Sequence, residues 1–169
     1  MVARTRIEPS VYAPVEEELR AVVASLKVVA ATDSNDIGPD EAIQQRLAHV
    51  LAVSGKRVRP AITLLAASLG SQPANTNAVT MATAVELLHI ATLVHDDTVD
   101  RADRRRGHAT ASNLWGNRIA VLLGDYLFAA SARFVCDTNN VRVIRRFAET
   151  IMELSSGELF ELTNAHNWQ

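Results

Sequence analysis

Residues 78–100, AVTMATAVELLHIATLVHDDTVD, decide the fold that we predict for this chain. Apolar residues occupy most faces of this stretch at helical spacing, which is typical of a helix in the middle of a bundle. Its last turns nevertheless carry three carboxylates, Asp96, Asp97 and Asp100. Carboxylates at the end of a buried helix are costly unless a cation or a cavity compensates them. This conflict between burial and charge indicates a functional site.

Helical spacing continues on both sides of this stretch, and no segment alternates convincingly with the period of a strand. A charged loop, residues 101–107, follows the central helix, and no internal repeat or low-complexity tract is evident. We therefore predict an all-α, bundle-like architecture that occupies residues 1–169 as part of a single domain. The predicted helices cover about residues 14–29, 39–55, 60–69, 78–100, 117–136 and 140–164.

Composition limits the class of protein. The net charge of −2 argues against a nucleic-acid binder, which normally carries a basic excess. A single cysteine, Cys136, excludes an internal disulfide and fits a reducing compartment. The N-terminus lacks the apolar core of a signal peptide, and the best membrane-span candidate, residues 119–136, is interrupted by Asp125 and Arg133. We predict a cytoplasmic protein without a membrane span.

The acidic residues have the spacing of a magnesium site. Asp96 and Asp100 are four residues apart and share a helix face, whereas Asp97 is turned by about 100°. Mg²⁺ prefers oxygen ligands and is usually held by one or two carboxylates together with substrate phosphates. The alternative is a solvated helix end that happens to carry acids. On this motif alone, both interpretations stay open.

Two basic clusters flank the acidic one in the sequence. Arg104, Arg105 and Arg106 follow it directly, and arginine binds phosphate oxygens through paired hydrogen bonds. Residues 55–60, GKRVRP, stand at a junction between two predicted helices, where an anion can be bound. They lack the upstream glycines and the following Ser or Thr of a nucleotide-binding P-loop. Each cluster alone is equally compatible with a solvated loop.

Two histidines lie on the central helix. His89 precedes Asp96 by seven residues and has nearly the same face, so it can donate a hydrogen bond to a diphosphate oxygen. The alternative is a core histidine bonded to the backbone. His95 has a different face, and we interpret it either as structural or as a support for a residue that contacts the ligand. Taken together, one acidic pair and two separate basic groups suit two diphosphates, one bound through a metal and the other bound directly.

These motifs resemble, in order and spacing, the trans-isoprenyl diphosphate synthases, also called polyprenyl synthetases. The resemblance rests on residues 55–60 (GKRVRP), 86–89 (ELLH), 96–100 (DDTVD), 105–107 (RRG), 124–127 (GDYL) and 157–158 (GE). It implies an isoprenoid-synthase-type all-α bundle, usually a homodimer. It also implies a Mg²⁺-dependent enzyme that condenses isopentenyl diphosphate with an allylic prenyl diphosphate by ionisation, condensation and elimination.

The resemblance assigns roles to individual residues. Asp96 and Asp100 would bind Mg²⁺ on the allylic diphosphate, with Asp97 in support as the third catalytic aspartate. Arg105 would contact the allylic diphosphate directly. Isopentenyl diphosphate would be bound by Lys56, Arg59, His89 and Arg106.

Product length is predicted from the same helix. Ala91 and Thr92 precede Asp96 by five and four residues, so both lie about one turn deeper, and we expect the growing prenyl tail to pass them. In short-chain members of the family, bulky aromatic residues near these positions close the pocket. The small residues here predict a medium or long product, and Ala91→Phe is expected to shorten it.

The resemblance extends over essentially the whole chain but covers only the N-terminal half of the family's pattern. The family's second Asp-Asp-x-x-Asp motif does not occur in these residues. We expect a fragment, although a half-length subunit with a partner and a non-catalytic paralogue also fit. We expect the chain alone to be inactive and to associate through an exposed apolar face. The alternative functions are a regulatory subunit of a heteromeric prenyl synthase and a metal-dependent phosphohydrolase using His89, His95 and Asp96.

Overall fold

The computed structural model describes residues 12–31, 41–52, 55–70 and 76–164. A 3-10 turn, Ala13–Val15, leads into the first of seven helices in this part of the chain. The elements are α1 (Glu16–Ala31), α2 (Glu41–Ala52), α3 (Val58–Ser68), α4 (Thr76–Val99), β1 (Arg104–Arg105), β2 (His108–Ala109), α5 (Ala111–Trp115), α6 (Asn117–Asp137) and α7 (Val141–Asn164).

The predicted all-α architecture is confirmed, and each of the six predicted helices is present. The predicted start of the second helix at residues 39–40 and its end at Ser54 lie outside the described residues. Helix α3 begins at Val58, two residues before the predicted Pro60. Proline is accepted there because the amides of the first helical turn have no intrahelical partner.

Helix α4 is the centre of the bundle, as its apolar composition predicts. It contacts α1, α3, α5 and α6, most extensively α6. Its buried side follows helical spacing through Thr83, Leu87, Ile90, Ala91 and Val94. His89, Thr92 and Asp96 are partly or fully exposed, whereas Glu86 and Asp97 belong to the buried set.

Two helices, α4 and α6, are long and apolar enough to cross a membrane by length and composition alone. Within the bundle, however, 50% of the apolar window of α4 and 33% of that of α6 is buried. The core helix of a soluble protein meets the same criterion, so these two helices are weak evidence for a membrane span.

Three short elements between α4 and α6 were not predicted. Strands β1 and β2 form a two-stranded antiparallel hairpin, in which Arg105 pairs with His108. Its two turn residues, Arg106 and Gly107, have φ of 51° and 85°, as a type I′ turn requires. Helix α5 follows, with Thr110 as its N-cap. Strands of two residues and a helix of five are too short to show a hydrophobic period.

Helix α7 is covered only in its first half. Phe147 is buried there, in a small apolar cluster with Ala84 and Val135. Farther along, several large apolar side chains are exposed, and by helical spacing they lie on more than one side of the helix. They are Met152, Leu154, Leu159, Phe160 and Leu162. The expected association of the chain stays a prediction.

Candidate functional site

The basic side chains predicted to bind one substrate meet in a single cleft. Its volume is about 580 Å³, and it lies between the start of α3, the middle of α4 and the hairpin turn. We call it the basic cleft. Its basic and imidazole side chains are Lys56, Arg57, Arg59, His89 and Arg106, and Glu86 is the acidic residue that lines it. The structure thus brings together the four residues to which the resemblance assigns isopentenyl diphosphate.

Arg106 reaches the basic cleft from the hairpin turn. Its guanidinium lies against Gly55, where a Cβ atom would overlap it. Arg106 also has a positive φ of 51°, which costs free energy in any residue with a bulky side chain. Two backbone features therefore place the Arg106 guanidinium in the cleft: the space left by the missing Cβ of Gly55 and the positive φ of Arg106 in the turn.

His89 and Arg59 are joined by a hydrogen bond. Arg59 Nη1 lies 3.1 Å from His89 Nε2, and because a guanidinium has no acceptor, it donates to the imidazole. Burial, and then the charge of Arg59, lowers the pKa of His89, which favours the neutral ring that this bond requires. His89 therefore orients Arg59 and keeps its other ring nitrogen available for a ligand.

Arg57 is a residue of the site whose role the sequence analysis missed. Its Nη1 donates to Glu86 Oε1 at 2.7 Å, and the Glu86 side chain is only 4% exposed. Arg57 precedes α3 with φ of 52°. This ion pair attaches the start of α3 to α4, so that Lys56 and Arg59 face His89. The only sequence signal was Glu86, a carboxylate within an otherwise apolar helix.

The acidic residues stand at the other end of α4. Asp96 and Asp100 share a face, as predicted, and both are exposed. Burial, and next the charge of Asp100, raises the pKa of Asp96, while Arg105 opposes this shift. A carboxylate pair with this mutual repulsion is the donor set that a hard divalent cation stabilises. No group of three or more His, Cys, Asp or Glu side chains clusters among the described residues.

Asp97 differs from the other two aspartates because it is buried. Both its carboxylate oxygens accept from Arg105 Nε, at 2.8 and 2.9 Å. This pair fixes β1 of the hairpin to α4. Arg105 uses Nε for this contact, which leaves its terminal nitrogens as the donors for a ligand.

An apolar groove runs between α4 and α7, with a volume of about 890 Å³. Asp96 lies at one end of the groove, and Met81 is the α4 residue of its lining that is farthest from Asp96. The groove therefore follows α4 for about 22 Å. Arg59 and His89 line both this groove and the basic cleft, which therefore share a wall. Its apolar lining is Met81, Val85, Leu88, Leu93, Val143, Phe147 and Leu154.

The structure places the two residues that were predicted to set chain length differently. Thr92 lines the apolar groove, whereas Ala91 is 1% exposed and packs in the main core. A residue five positions before Asp96 is rotated by about 140° from it, while one four positions before is rotated by only about 40°. Ala91 therefore points away from the groove.

His95 is structural, as its different face indicated. Its Nε2 donates to the carbonyl of Val121 at 3.1 Å and lies 3.4 Å from Asp125 Oδ1. The ring occupies the space that a Cβ on Gly124 would fill. With His95 directed to α6 and His89 to Arg59, the two histidines do not converge on Asp96 as a phosphohydrolase site requires.

Comparison with known proteins gives the family. The profile described as "Polyprenyl synthetase" matches residues 40–169. The chain belongs to the polyprenyl synthetase family. Its isoprenoid-synthase fold agrees with the expectation from the sequence motifs.

Individual relatives of this polyprenyl synthetase chain support the same family assignment. Nonaprenyl diphosphate synthase of Mycobacterium tuberculosis is 40% identical over 144 residues, 85% of this chain and 42% of that protein. Heptaprenyl diphosphate synthase component 2 of Geobacillus stearothermophilus is 35% identical over 159 residues, which are 94% of this chain and 48% of that protein. The crystal structure of polyprenyl synthase from Caulobacter crescentus complexed with calcium and isoprenyl diphosphate matches with a TM-score of 0.82 and 32% identity, covering 91% of this chain and 45% of that one. The chain spans about half the length of these relatives.

Proposed function

We propose that this chain contributes the diphosphate-binding part of a prenyltransferase that condenses isopentenyl diphosphate with an allylic prenyl diphosphate. The observation that carries the proposal is the wall formed by Arg59 and His89, which separates the basic cleft from the apolar groove. A small, strongly anionic substrate suits the cleft, and an anionic head with a long apolar tail suits the groove. The shared wall brings the two reacting ends together.

Each group has a defined task in this reaction. Mg²⁺, held by Asp96 and Asp100, would supply positive charge to the allylic diphosphate as leaving group. Arg105 binds the same diphosphate through its terminal nitrogens, and Asp97 holds its Nε. The allylic C–O bond breaks, the isopentenyl double bond attacks the carbocation, and a proton leaves the adjacent carbon. The protein stabilises pyrophosphate and aligns the two substrates.

The dimensions of the apolar groove favour a medium or long product. On α4 it is lined by apolar side chains for about 22 Å, and the polar residues of that helix along it are His89, Thr92, His95 and Asp96. Names such as nonaprenyl and heptaprenyl diphosphate synthase among the relatives support the same product class.

Thr92→Phe is expected to block the groove one turn below Asp96. The variant should fold normally, because Thr92 is only partly buried, yet bind a short allylic diphosphate analogue at least about tenfold better than a long one. Titration calorimetry with analogues of two tail lengths measures this preference. Ala91→Phe is the comparison: it overpacks the core, lowers stability by about 1–3 kcal/mol and leaves the preference unchanged. Equal preference in Thr92→Phe and the unchanged chain would contradict the groove.

Arg106→Asn is expected to separate stability from binding. Asn-Gly is the preferred pair of a type I′ turn, so the free energy of unfolding should rise by about 0.5–1 kcal/mol. Loss of a charge-assisted contact should weaken isopentenyl diphosphate binding by about 1.5–3 kcal/mol, or tenfold or more. Urea denaturation and calorimetry measure the two effects. A less stable variant would mean that the turn is not strained.

Binding tests the proposed function directly. The purified chain is titrated with isopentenyl diphosphate, and separately with a non-reactive allylic diphosphate analogue with and without Mg²⁺. We expect isopentenyl diphosphate to bind without the metal and the analogue to require it. Transition metals that outcompete Mg²⁺, or release of phosphate from the analogue, would instead support a phosphohydrolase.

A second candidate is the heteromeric arrangement suggested by the relative named "component 2". In that case the exposed apolar side chains in the second half of α7 would be covered by a partner rather than by a second copy. Sedimentation of the chain alone separates the two, since a homodimer forms without added protein and a heteromeric component does not. A cytoplasmic location stays a prediction from the sequence.

A further inference from the structure

His49 of α2 carries a polar atom without a partner. Its Nε2 is buried, and no hydrogen-bond partner for it is found in the part of the chain that the structure describes. The ring makes a T-shaped contact with Trp115, with centroids 5.3 Å apart and planes at 79°. An unsatisfied buried nitrogen costs free energy, so a native fold normally provides it with a partner.

His49 lines a small cavity behind the allylic site. The cavity has a volume of about 60 Å³, enough for a water molecule, and its other polar lining residues are Asp97, Arg105, Arg106 and Thr110. Thr110 Oγ1 is already bonded to the carbonyl of Ala102 at 2.6 Å. The Asp97–Arg105 pair and His49 therefore face a common space large enough for a bridging molecule.

The Asp97 carboxylate has acceptor capacity left for such a bridge. Both its oxygens accept from one donor, Arg105 Nε, whereas an ionised carboxylate has about four lone-pair sites. Water both donates and accepts, so it can bond to His49 Nε2 in either ring tautomer while donating to Asp97. Burial of Asp97 and the attachment of His49 to Trp115 keep both ends of the bridge in place.

We propose that His49 is a positioning residue, which holds the Asp97–Arg105 pair through a buried water molecule in this cavity. Arg105 is the group that must present its terminal nitrogens to the allylic diphosphate, and Asp97 alone leaves its guanidinium free to tilt about the Nε contact. The water bridge restricts this tilt by fixing the carboxylate from behind. The consequence for diphosphate binding rests on the proposed function, but the bridge itself does not.

The bridge is tested with His49→Phe, which keeps a ring against Trp115, and His49→Gln, which restores a polar atom. In the unchanged chain, nuclear magnetic resonance should show a water cross-peak to the Arg105 Nε–H and slow exchange of that proton. In His49→Phe the cross-peak should disappear and the proton should exchange faster, although its bond to Asp97 remains. Both changes should be partly reversed in His49→Gln. Affinity for the allylic diphosphate analogue with Mg²⁺ should fall about tenfold in His49→Phe and recover in His49→Gln.

The outcomes separate the inference from the proposed function. Loss of the water signature without any diphosphate binding in the unchanged chain would keep the bridge and reject the function. Normal Mg²⁺-dependent binding together with an unchanged Arg105 Nε–H signal in His49→Phe would overturn the bridge. A drop in affinity that His49→Gln does not recover would also overturn it, because ring packing alone would then explain the effect.

Discussion

The double substitution Asp96→Asn and Asp100→Asn should abolish Mg²⁺-dependent binding of an allylic diphosphate analogue and slightly raise the stability of the chain. Removal of both charged ligands should weaken binding by at least about 100-fold, or about 3 kcal/mol. Removal of a like-charge pair one turn apart should add about 0.2–0.5 kcal/mol to the free energy of unfolding. Calorimetry with and without Mg²⁺, and urea denaturation without it, measure the two effects.

Asp137→Asn is the matched control for this pair. Asp137 is also exposed at the end of a helix, the last residue of α6, so it experiences the same unfavourable helix dipole. It should gain comparable stability from the dipole effect and keep full Mg²⁺-dependent binding. If the control lost binding as well, or if the double variant kept it, Asp96 and Asp100 would not be the metal ligands.

The pKa of Asp96 predicts how binding depends on pH. Burial and the neighbouring Asp100 raise this pKa in the folded chain. Since Mg²⁺ needs the ionised carboxylate, affinity should begin to fall at a higher pH than for an ordinary aspartate. For stability, a raised pKa means that the folded chain holds the proton more tightly. The contribution of Asp96 is therefore most favourable below the unfolded pKa and is lost as pH rises through the folded value.

The sequence predicted what depends on one helix. The hydrophobic period located α4, and the four-residue spacing correctly placed Asp96 and Asp100 on one face. The same arithmetic distinguishes Thr92 from Ala91, because five residues differ from four by a full 100° of rotation, and of the two only Thr92 lines the apolar groove. The position of a residue along α4 was predictable from the sequence. The direction of its side chain was predictable only where its exact spacing from Asp96 was used.

The sequence did not predict what depends on contacts between elements. Nothing local distinguishes Arg57 from Lys56 and Arg59, yet only Arg57 is directed at the buried Glu86. The hairpin that delivers Arg106 to Gly55 is likewise invisible, because its strands have two residues each. His49 shows no local signal at all, since its cavity is formed by α2, α4 and the segment around the hairpin.

Arg57→Met is expected to lower the free energy of unfolding by about 3 kcal/mol, because it leaves the buried Glu86 carboxylate without its partner. Glu86→Leu should cost less, since Arg57 lines the basic cleft and can turn towards water. The loss of unfolding free energy in the double variant Arg57→Met, Glu86→Leu should be smaller than the sum of the two single losses. The difference, which is the coupling energy, should be at least about 1.5 kcal/mol. Urea denaturation of the four proteins completes the cycle.

The exposed pair Arg20 and Glu16 provides the matched comparison. Their atoms are also 2.7 Å apart, but their side chains are 77% and 57% exposed, so their coupling should not exceed about 0.5 kcal/mol. Equal couplings in the two cycles would show that the burial of Glu86 has no energetic consequence. The two pairs have the same donor–acceptor distance, so distance cannot explain a difference between their couplings.

The Arg57–Glu86 cycle also separates stability from function. An apolar pair of similar volume can replace a buried ion pair without loss of stability, but it does not fix the direction of the turn before α3. Arg57 holds that turn at a positive φ, and Arg59 meets His89 only when α3 starts in this orientation. The double variant should therefore regain stability and still bind isopentenyl diphosphate more weakly than the unchanged chain. The expected loss is about tenfold in affinity, which corresponds to about 1.4 kcal/mol. If its affinity equalled that of the unchanged chain, the ion pair would serve stability alone.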